Sequence, residues 1–306
     1  MEPTTKRTTM SRRGLLAGAA GAAGLLITAA PAAAGTGRDR TGARARLRDL
    51  ELSLGVRIGA VGIHTGTGVT VGYRAGERFP LLSTFKALAG GAILDRARRR
   101  DPGLLERRVF WAAAEEVPYS PVTGGRGTTG MTVAELCHAA ITRSDNTAGN
   151  MMLRQIGGPA GLTTFLRRLG DPVSRLDRWE VELNDWAPGE RRDTTTPAFA
   201  ARDLRALTVG RALVAEDRER LTGWLRASVT GAARIRAGLP ATWVVGDKSG
   251  TSASYGAAND IGIAWPPSAA PLVLAIYTNR RQLDAPADSA AVAGAATILA
   301  EALGAL

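Results

Sequence analysis

Residues 241–280 read ATWVVGDKSGTSASYGAANDIGIAWPPSAAPLVLAIYTNR and contain three runs with strand character. These runs are ATWVVGDKSGT, NDIGIAWPP and PLVLAIYTNR, and the segments between them are rich in Gly, Ser, Ala and Pro. Runs of β-branched and large apolar residues bounded by turn-forming residues are typical of β-strands. The stretch therefore predicts three strands close to the end of the chain.

A second strand-rich stretch lies near the other end. GVRIGAVGIHTGTGVTVGYRAG, residues 55–76, contains two β-rich runs joined by a glycine-containing turn at residues 65–68, which predicts a hairpin. A short helix is expected before it, over residues 43–53. The chain closes on an alanine-rich helical pattern over residues 287–302.

Helical patterns fill the part of the chain between the two strand-rich stretches. Apolar residues recur at spacings of three and four over residues 83–98, and the pattern resumes in MTVAELCHAAI, where Thr132 and Glu135 form a capping box. Glycines at 157, 158 and 170, and Thr196 before a proline, indicate further helix ends and starts.

The order of elements is therefore β, α, β. It predicts an α/β protein of the α+β type, with an antiparallel five-stranded sheet built from both termini, flanked by helices, and an inserted all-helical domain. We expect the α/β domain to comprise residues 35–81 and 227–306, and the helical domain residues 82–226. The cleft between the two domains is the expected ligand site.

The first 34 residues are typical of a secretory signal of the twin-arginine kind. Arg12 and Arg13 precede a weakly apolar run of Leu, Ala and Gly, and small residues at 32–34 form a cleavage site. A membrane anchor is the alternative, but the apolar run over residues 14–30 is shorter than the about 20 residues that span a bilayer. The sequence thus predicts export without a stable membrane anchor.

Composition excludes several classes of function. Removal of residues 1–34 lowers the formal net charge from +11 to +8, and the remaining arginines are scattered beside Asp and Glu, which indicates a solvated basic surface rather than a nucleic-acid partner. His64, His138 and Cys137 are too few for a three- or four-ligand zinc site without many carboxylates. A Ser-His-Asp triad is also disfavoured, because His64 lies in a strand pattern and His138 in a helix pattern.

Lysine is rare here, and its positions are informative. Only three lysines occur among 39 Lys and Arg residues, and one of them, Lys86, follows Ser83 by three positions in FPLLSTFKALAG. On a helix these positions share a face, so the ammonium group can reach the serine hydroxyl. Lysine loses its proton readily when buried, whereas arginine stays charged, so the pair predicts an activated nucleophile.

Two further motifs accompany this pair. Lys248 lies in GDKSGT, where Ser249 and Gly250 are small enough for a substrate to lie against a strand edge. RSDNTAGN contains Ser144, Asp145 and Asn146, and taken alone this segment is as well explained by a helix N-cap. Together with Ser-x-x-Lys, however, they form the motif set of class A β-lactamases and penicillin-binding proteins.

The sequence resembles class A serine β-lactamases over nearly the whole chain after the signal. The similarity extends through VPYSPVTGGRGTTGMTVAELCHAAITRSDNTAGN and RWEVELNDWAPGERRDTTTP. The fold of that family agrees with the β, α, β order. The resemblance implies that Ser83 is the nucleophile, that Lys86 hydrogen-bonds it and that Ser144 relays a proton to the β-lactam nitrogen. The backbone amides of Ser83 and Thr251 then form the oxyanion hole.

The resemblance also implies substrate contacts. Asn146 matches the residue that holds the side-chain carbonyl of the substrate, and Lys248 the one that supplies positive charge to the substrate carboxylate. Tyr119 resembles the aromatic residue at the cleft mouth, although a tyrosine that packs its own loop is an alternative. Arg234 matches a position from which some members reach the Lys248 strand. Arg236 is the alternative, and Ala257 stands where other members have the arginine.

The segment RWEVELN carries the residues that separate hydrolysis from capture of the substrate. By resemblance, Glu180 and Asn184 position a water molecule and Glu180 takes its proton, and a pair between Arg178 and Asp193 closes the loop that carries them. Without the other motifs this segment would be interpreted as an acidic surface loop. The base that activates Ser83 stays open between Lys86 and Glu180 acting through water.

The sequence departs from the family pattern at several positions. Val181 follows Glu180 where many relatives have proline. Cys137 matches one half of a disulfide whose partner position is Gly90, so a buried free thiol is expected. Leu82 and Ser252 exclude the disulfide across the active site that some carbapenem-hydrolysing members contain.

The functional prediction is an exported, monomeric serine β-lactamase that acts on a small-molecule β-lactam without a metal or cofactor. One alternative is a D-alanyl-D-alanine carboxypeptidase, which shares the acylation residues but is expected to lack the Glu180–Asn184 pair. Another is a penicillin-sensing binding domain that stays acylated, for which a transmembrane segment is expected.

Overall fold

The computed structural model describes residues 37–306, with side chains described from residue 41 onward. The predicted signal, residues 1–34, lies outside the described residues. From residue 37 to the last residue, no helix is both long and apolar enough to cross a membrane.

The strands occupy both ends of the described chain, as predicted. They are β1 (Arg57–His64), β2 (Thr70–Tyr73), β3 (Phe79–Pro80), β4 (Arg108–Val109), β5 (Met131–Thr132), β6 (Thr194–Thr195), β7 (Val244–Thr251), β8 (Ala258–Trp265) and β9 (Leu272–Asn279). A five-stranded antiparallel sheet has the order β2-β1-β9-β8-β7. The predicted hairpin, the three late strands and their common sheet are thus confirmed.

The two ends of the chain meet inside this sheet. Strand β1 pairs with β9 along its whole length, from Arg57 opposite Asn279 to His64 opposite Leu272. Both faces of β9 are buried, so its sequence is a continuous apolar run rather than an alternating one. Leu274 and Ile276 belong to the core on one face, and Val273 and Ala275 to the core on the other.

Helices lie between and around the strand-rich ends. They are α1 (Gly37–Leu54), α2 (Phe85–Arg99), α3 (Val133–Thr142), α4 (Asn146–Ile156), α5 (Gly158–Arg168), α6 (Pro197–Thr208), α7 (Ala215–Arg226) and α8 (Ser289–Ala302). One core packs α1 and α8 against the sheet. The other core joins the opposite sheet face to α2, α3, α4, α6 and α7.

Local sequence signals placed most helix ends correctly. Thr132 caps α3 by accepting from the Glu135 amide at 3.2 Å, and Glu135 accepts from the Thr132 amide at 2.7 Å, which confirms the capping box. Helix α1 begins six residues before its predicted start, because its first residues are polar and give no apolar period. The helix predicted from Ser83 begins as a 3₁₀ turn, Leu82–Thr84, before α2.

The short sheet formed by β3 and β6 links two segments that are distant in sequence. Phe79 lies opposite Thr195, and Pro80 opposite Thr194. The chain just before Ser83 is thereby joined to the end of the segment that carries Glu180. Cys137 is a free thiol in the core, as predicted, and burial raises its pKa. The domain boundaries at residues 81/82 and 226/227 stay a prediction.

Asp171 and Asp203 form a buried pair of carboxyl groups. Burial, and next the neighbouring Asp171, raise the pKa of Asp203 to about 9. Each of the two residues has a buried Oδ2 atom without a hydrogen-bond partner among the described residues. Asp171 Oδ1 accepts from the amides of Val173 and Ser174 at 2.7 and 2.9 Å. A proton on Asp203 therefore relieves the repulsion between the pair.

We expect Asp203→Asn to stabilise the protein increasingly as pH rises. The pKa of Asp203 is higher in the folded than in the unfolded state, so the folded state binds more protons at neutral pH and stability falls as pH rises toward 9. An asparagine amide keeps a donor toward Asp171 and removes this dependence. The melting temperature of the variant should exceed that of the wild type by about 2–4 °C or more at pH 8.5, equivalent to about 1 kcal/mol.

Thermal unfolding at pH 5.5, 7 and 8.5 measures this effect. Asp284→Asn is the matched control, because Asp284 is exposed. A gain that is the same at all three pH values, or that the control shares, would show that Asp203 does not titrate in this way.

Candidate active site

Ser83 lies in the 3₁₀ turn that leads into helix α2. The helix is buried through almost all of its first three turns, so residues on every side of it face other parts of the protein. Lys86, in the first turn of α2, is fully buried, and its Nζ donates to Ser83 Oγ at 3.0 Å. The i, i+3 spacing thus produces the contact expected from the sequence.

The ammonium group of Lys86 is surrounded by oxygen atoms. Its Nζ also donates to the Ser144 carbonyl at 2.9 Å and to Asn146 Oδ1 at 2.6 Å, and it lies 2.9 Å from Glu180 Oε1. Ser83 Oγ donates to the same Glu180 oxygen at 3.3 Å. Burial lowers the pKa of Lys86, and the Glu180 carboxylate opposes that effect without cancelling it. A lysine in this setting can exchange a proton with Ser83 or Glu180.

Glu180 is carried by a loop that we call the Glu180 loop, residues 177–193. The side chain of Glu180 is fully buried in its ion pair with Lys86, and Glu180 Oε2 accepts from Asn184 Nδ2 at 2.7 Å. The peptide bond between Glu180 and Val181 is cis. At the two ends of the loop, Arg178 Nε donates to Asp193 Oδ2 at 2.6 Å. This ion pair closes the loop as the resemblance implied.

Asn150, which was not predicted as a site residue, also holds Glu180 in place. Its Nδ2 donates to the Glu180 carbonyl at 2.8 Å, and its Oδ1 accepts from the Glu180 amide at 2.9 Å. One side chain thereby satisfies both backbone groups of Glu180 from helix α4. The only signal was an asparagine on the helix that follows the Ser144 segment, and such a residue is too common to be singled out.

The segment from Ser144 to Asn146 both caps a helix and contributes side chains to the site. Asp145 is the N-cap of α4, since its Oδ1 accepts from the Ala148 amide at 2.8 Å, and its Oδ2 accepts from the Thr123 amide at 2.9 Å. Asp145 thus fixes the loop, while the residues on either side face the site. Ser144 has a φ of 59°, and the Nδ2 of Asn146 donates to the Pro118 carbonyl at 2.9 Å.

Strand β7 forms the opposite wall of the site. Lys248 Nζ donates to Ser144 Oγ at 3.0 Å and to the Ser249 carbonyl at 2.6 Å. A Cβ atom at Gly250 would lie 2.9 Å from Leu82 Cβ and 3.1 Å from the Ser83 nitrogen. Only glycine therefore allows the strand to approach the amide of Ser83 this closely. Burial, and next the nearby Lys86 ammonium, lower the pKa of Lys248 to about 7.

Of the two candidate arginines, Arg234 reaches this strand. It is buried, and it donates to the Gly250 carbonyl at 2.7 Å and to Thr251 Oγ1 at 2.5 Å. Arg236 instead forms an ion pair with Asp247 at 3.1 Å. Burial lowers the pKa of Arg234, and Asp260 opposes this effect. Arg234 therefore adds a second cation behind Thr251.

A cleft of about 580 Å³ opens onto these groups. Tyr119 lies at its rim with 63% of its surface exposed and a φ of 61°. Val229 and Thr230 also line the cleft, and Thr230 accepts from Ser249 Oγ at 2.7 Å. These last two residues lie outside the recognised motifs, so no motif predicted them. The remaining lining residues were all predicted: Ser83, Ser144, Asn146, Asn184, Ser249 and Thr251.

Comparison with known proteins gives a consistent result. Residues 43–303 match the sequence model of a protein family described as "Beta-lactamase enzyme family". Beta-lactamase AST-1 of Nocardia asteroides is 51% identical over 300 residues, which cover 96% of each chain. The carbapenem-hydrolyzing beta-lactamase KPC of Klebsiella oxytoca is 48% identical over 255 residues, covering 83% of this chain and 87% of KPC.

A solved structure supports the same relationship. The crystal structure of a beta-lactamase from Streptosporangium roseum is 62% identical, with a TM-score of 0.86 over 87% of this chain and all (100%) of that one. The serine–lysine–glutamate cluster, the antiparallel sheet and these similarities agree with one another, and this chain belongs to the beta-lactamase enzyme family, in class A.

Proposed function

We propose that this chain hydrolyses the cyclic amide of β-lactams through an acyl-enzyme on Ser83. The observation that carries the proposal is the contact among three groups: Lys86 Nζ lies 3.0 Å from Ser83 Oγ and 2.9 Å from Glu180 Oε1. A nucleophile with two proton-accepting groups within hydrogen-bond reach is the arrangement that covalent catalysis requires. The names of the relatives support the substrate class.

In the proposed acylation step, Ser83 Oγ attacks the carbonyl carbon of the β-lactam. Lys86 or Glu180 would receive the serine proton, Glu180 directly or through water, since they lie 3.0 and 3.3 Å from Ser83 Oγ. The amides of Ser83 and Thr251 would donate to the developing oxyanion, and each such donor is worth about 3 kcal/mol. The proton that Ser83 loses is passed on to Ser144, whose Oγ gives its own proton to the ring nitrogen as the C–N bond breaks.

In the proposed deacylation step, water attacks the ester carbon on Ser83. Glu180 takes a proton from this water, and Asn184, which donates to Glu180 Oε2 at 2.7 Å, orients the carboxylate. The ester C–O bond breaks, and the proton that Glu180 took from the water passes to Ser83 Oγ. The buried Glu180 with its Asn184 partner favours turnover over a carboxypeptidase or a domain that stays acylated.

Substrate binding is assigned to the two sides of the cleft. Lys248 and Arg234 would attract the substrate carboxylate toward the hydroxyl groups of Ser249 and Thr251, since cations placed close to a carboxylate give the strongest hydrogen bonds. Gly250 lets the substrate lie along strand β7. On the other side, Asn146 would donate to the side-chain carbonyl of the substrate, and Tyr119 would contact its side chain at the cleft mouth.

The proposal also covers the export, oligomeric state and domain organisation of the enzyme. Residues 1–34 would direct export by the twin-arginine route and be removed, and the exported chain would act as a monomer. It would consist of an α/β domain, residues 35–81 and 227–306, and a helical domain, residues 82–226. The proposed reaction uses side chains and water alone, and the small-molecule β-lactam is its only expected partner.

Spectrophotometry of the purified protein with nitrocefin and benzylpenicillin tests the proposal. We expect continuous turnover of at least one of the two compounds, with a mass increase on the peptide that contains Ser83 in quenched samples. Stoichiometric labelling without turnover would favour the penicillin-sensing alternative. Absence of both labelling and turnover would overturn the proposed function.

A further inference from the structure

A second cavity, of about 900 Å³, shares no lining residue with the active-site cleft. It lies where the start of β1 and the end of β9 face the second half of the Glu180 loop. Six arginines and three glutamates line it, so its ionisable lining carries a net charge of +3. We call this cavity the arginine pocket, and its arginines are Arg57, Arg74, Arg78, Arg191, Arg280 and Arg281.

Two of the three glutamates are already bound to arginines of the lining. Glu51 pairs with Arg74 at 2.6 Å, and Glu77 pairs with Arg57 at 2.8 Å and with Arg74 at 3.0 Å. Hydrogen bonds from these arginines help to hold the pKa of both glutamates below the usual value, even though burial acts in the opposite direction. These carboxylates therefore remain ionised and are not available to the other arginines.

The third glutamate and one further arginine are occupied as well. Glu190 accepts from Arg192 Nε at 2.9 Å and from the backbone amide of Arg191 at 2.8 Å. Arg280 pairs with Asp288 at 2.9 Å and donates to the Leu54 carbonyl at 2.7 Å. Every carboxylate of the lining thus has a cationic partner.

Three arginines of the pocket lack a carboxylate partner among the described residues. Arg78 is half-buried, and it donates only to the Val173 carbonyl at 3.1 Å and to Thr194 Oγ1 at 2.9 Å. Burial, and next the neighbouring Arg191, lower the pKa of Arg78. Arg191 and Arg281 are exposed, and within residues 41–306 their guanidinium groups make no hydrogen bond. Three positive charges therefore lie around one cavity without a carboxylate that neutralises them.

Apart from its charged residues and two side-chain amides, the wall of the pocket is apolar. Val56 and Trp186 are buried, whereas Pro188 is exposed and Leu52 keeps 66% of its surface exposed. Leu52 and Pro188 therefore supply the accessible apolar surface of the pocket. Small-molecule sites usually combine such a surface with a few polar groups that fix the orientation of the ligand.

We propose that the arginine pocket binds an organic anion that carries two acidic groups on an apolar body. Arginine matches carboxylate, sulfonate and phosphate groups through paired N–H donors, and three arginines without carboxylate partners provide more positive charge than a single acidic group neutralises. The apolar body would pack against Leu52 and Pro188, whose surfaces are accessible. A pocket of this volume is large enough for a ligand of drug-like size.

Such a ligand would join two parts of the chain. Arg191 and Trp186 belong to the Glu180 loop, whereas Arg78 and Arg281 flank strands β3 and β9. Because the ligand binds the folded chain only, it should raise the melting temperature. The inference does not depend on the proposed reaction, since no residue of the active-site cleft takes part in it.

Isothermal titration calorimetry of the purified protein with naphthalene-1,5-disulfonate tests the proposal. We expect saturable binding with a dissociation constant between about 10 μM and 1 mM. Arg191→Gln together with Arg281→Gln should weaken this binding at least about tenfold. The matched control combines Arg211→Gln and Arg220→Gln, two exposed arginines outside the pocket that give the same change in net charge.

Each outcome decides the proposal. The control should bind as the wild type does, and turnover of nitrocefin should be the same in the wild type and both double variants. Absence of saturable binding to the wild type, or an equal loss in both double variants, would overturn the inference. Inorganic pyrophosphate should bind more weakly than the disulfonate, and equal binding would refute the role of the apolar wall.

Discussion

Glu180→Gln is expected to lower the steady-state rate of β-lactam hydrolysis by about 10²- to 10⁴-fold, the usual contribution of a general base. Glutamine preserves the size of the side chain but cannot take a proton from water. Acylation through Lys86 would continue, because its Nζ lies 3.0 Å from Ser83 Oγ. A rapid burst equal to one enzyme equivalent should therefore precede slow turnover, and mass spectrometry should show the trapped acyl-enzyme.

Glu182→Gln is the matched control for this variant. Glu182 is exposed and lies two residues further along the same loop, so its substitution removes the same charge without touching the buried cluster. We expect the control to retain wild-type turnover. If Glu180→Gln hydrolysed benzylpenicillin as fast as the control, another group would have to activate the water.

Lys86→Arg is expected to lower the acylation rate by about 10²- to 10⁴-fold, because arginine keeps its proton and cannot act as a base. The site also has no room for the larger head group. A Cβ atom at position 149, which is glycine, would lie 2.8 Å from Lys86 Cε, so the surrounding atoms already fit the lysine stem closely. Stopped-flow measurement of the nitrocefin burst gives the acylation rate.

Lys248→Arg is the informative comparison for this prediction. Lys248 is proposed to supply charge rather than to exchange a proton with Ser83, so arginine can replace it with a loss at least about tenfold smaller. Lys86→Met, whose unbranched side chain is one atom shorter and fits the same space, guards against misfolding of the arginine variant. Acylation at near wild-type rate in both Lys86 variants would mean that Glu180 alone activates Ser83.

The properties that the sequence predicted correctly are local ones. Apolar runs bounded by turn residues gave the hairpin and the strands β7, β8 and β9, and the reciprocal bonds of Thr132 and Glu135 span only three positions. The contact between Ser83 and Lys86 follows from the helical period alone. Where the apolar period faded, as in the polar first turns of α1, the predicted boundary was six residues late.

The contacts that the sequence left open join residues far apart in the chain. Ser83 and Glu180 are separated by 97 positions, and Lys248 and Ser144 by 104. The family resemblance suggested these contacts, but no sequence spacing or helical period encodes them. The two bonds between Asn150 and Glu180 had no signal of either kind, because a single asparagine on a helix is not distinctive.

By itself the sequence determined the types of the elements, their order and the identity of the reactive side chains, since these depend on neighbours within a few positions. Only the tertiary structure decided how burial changes those side chains. Packing removes water from Lys86 and Lys248 and lowers the pKa of both, places Asp203 beside Asp171, and gathers Arg78, Arg191 and Arg281 around one cavity. Desolvation and the distances between charges are properties of three-dimensional packing, which no short segment contains.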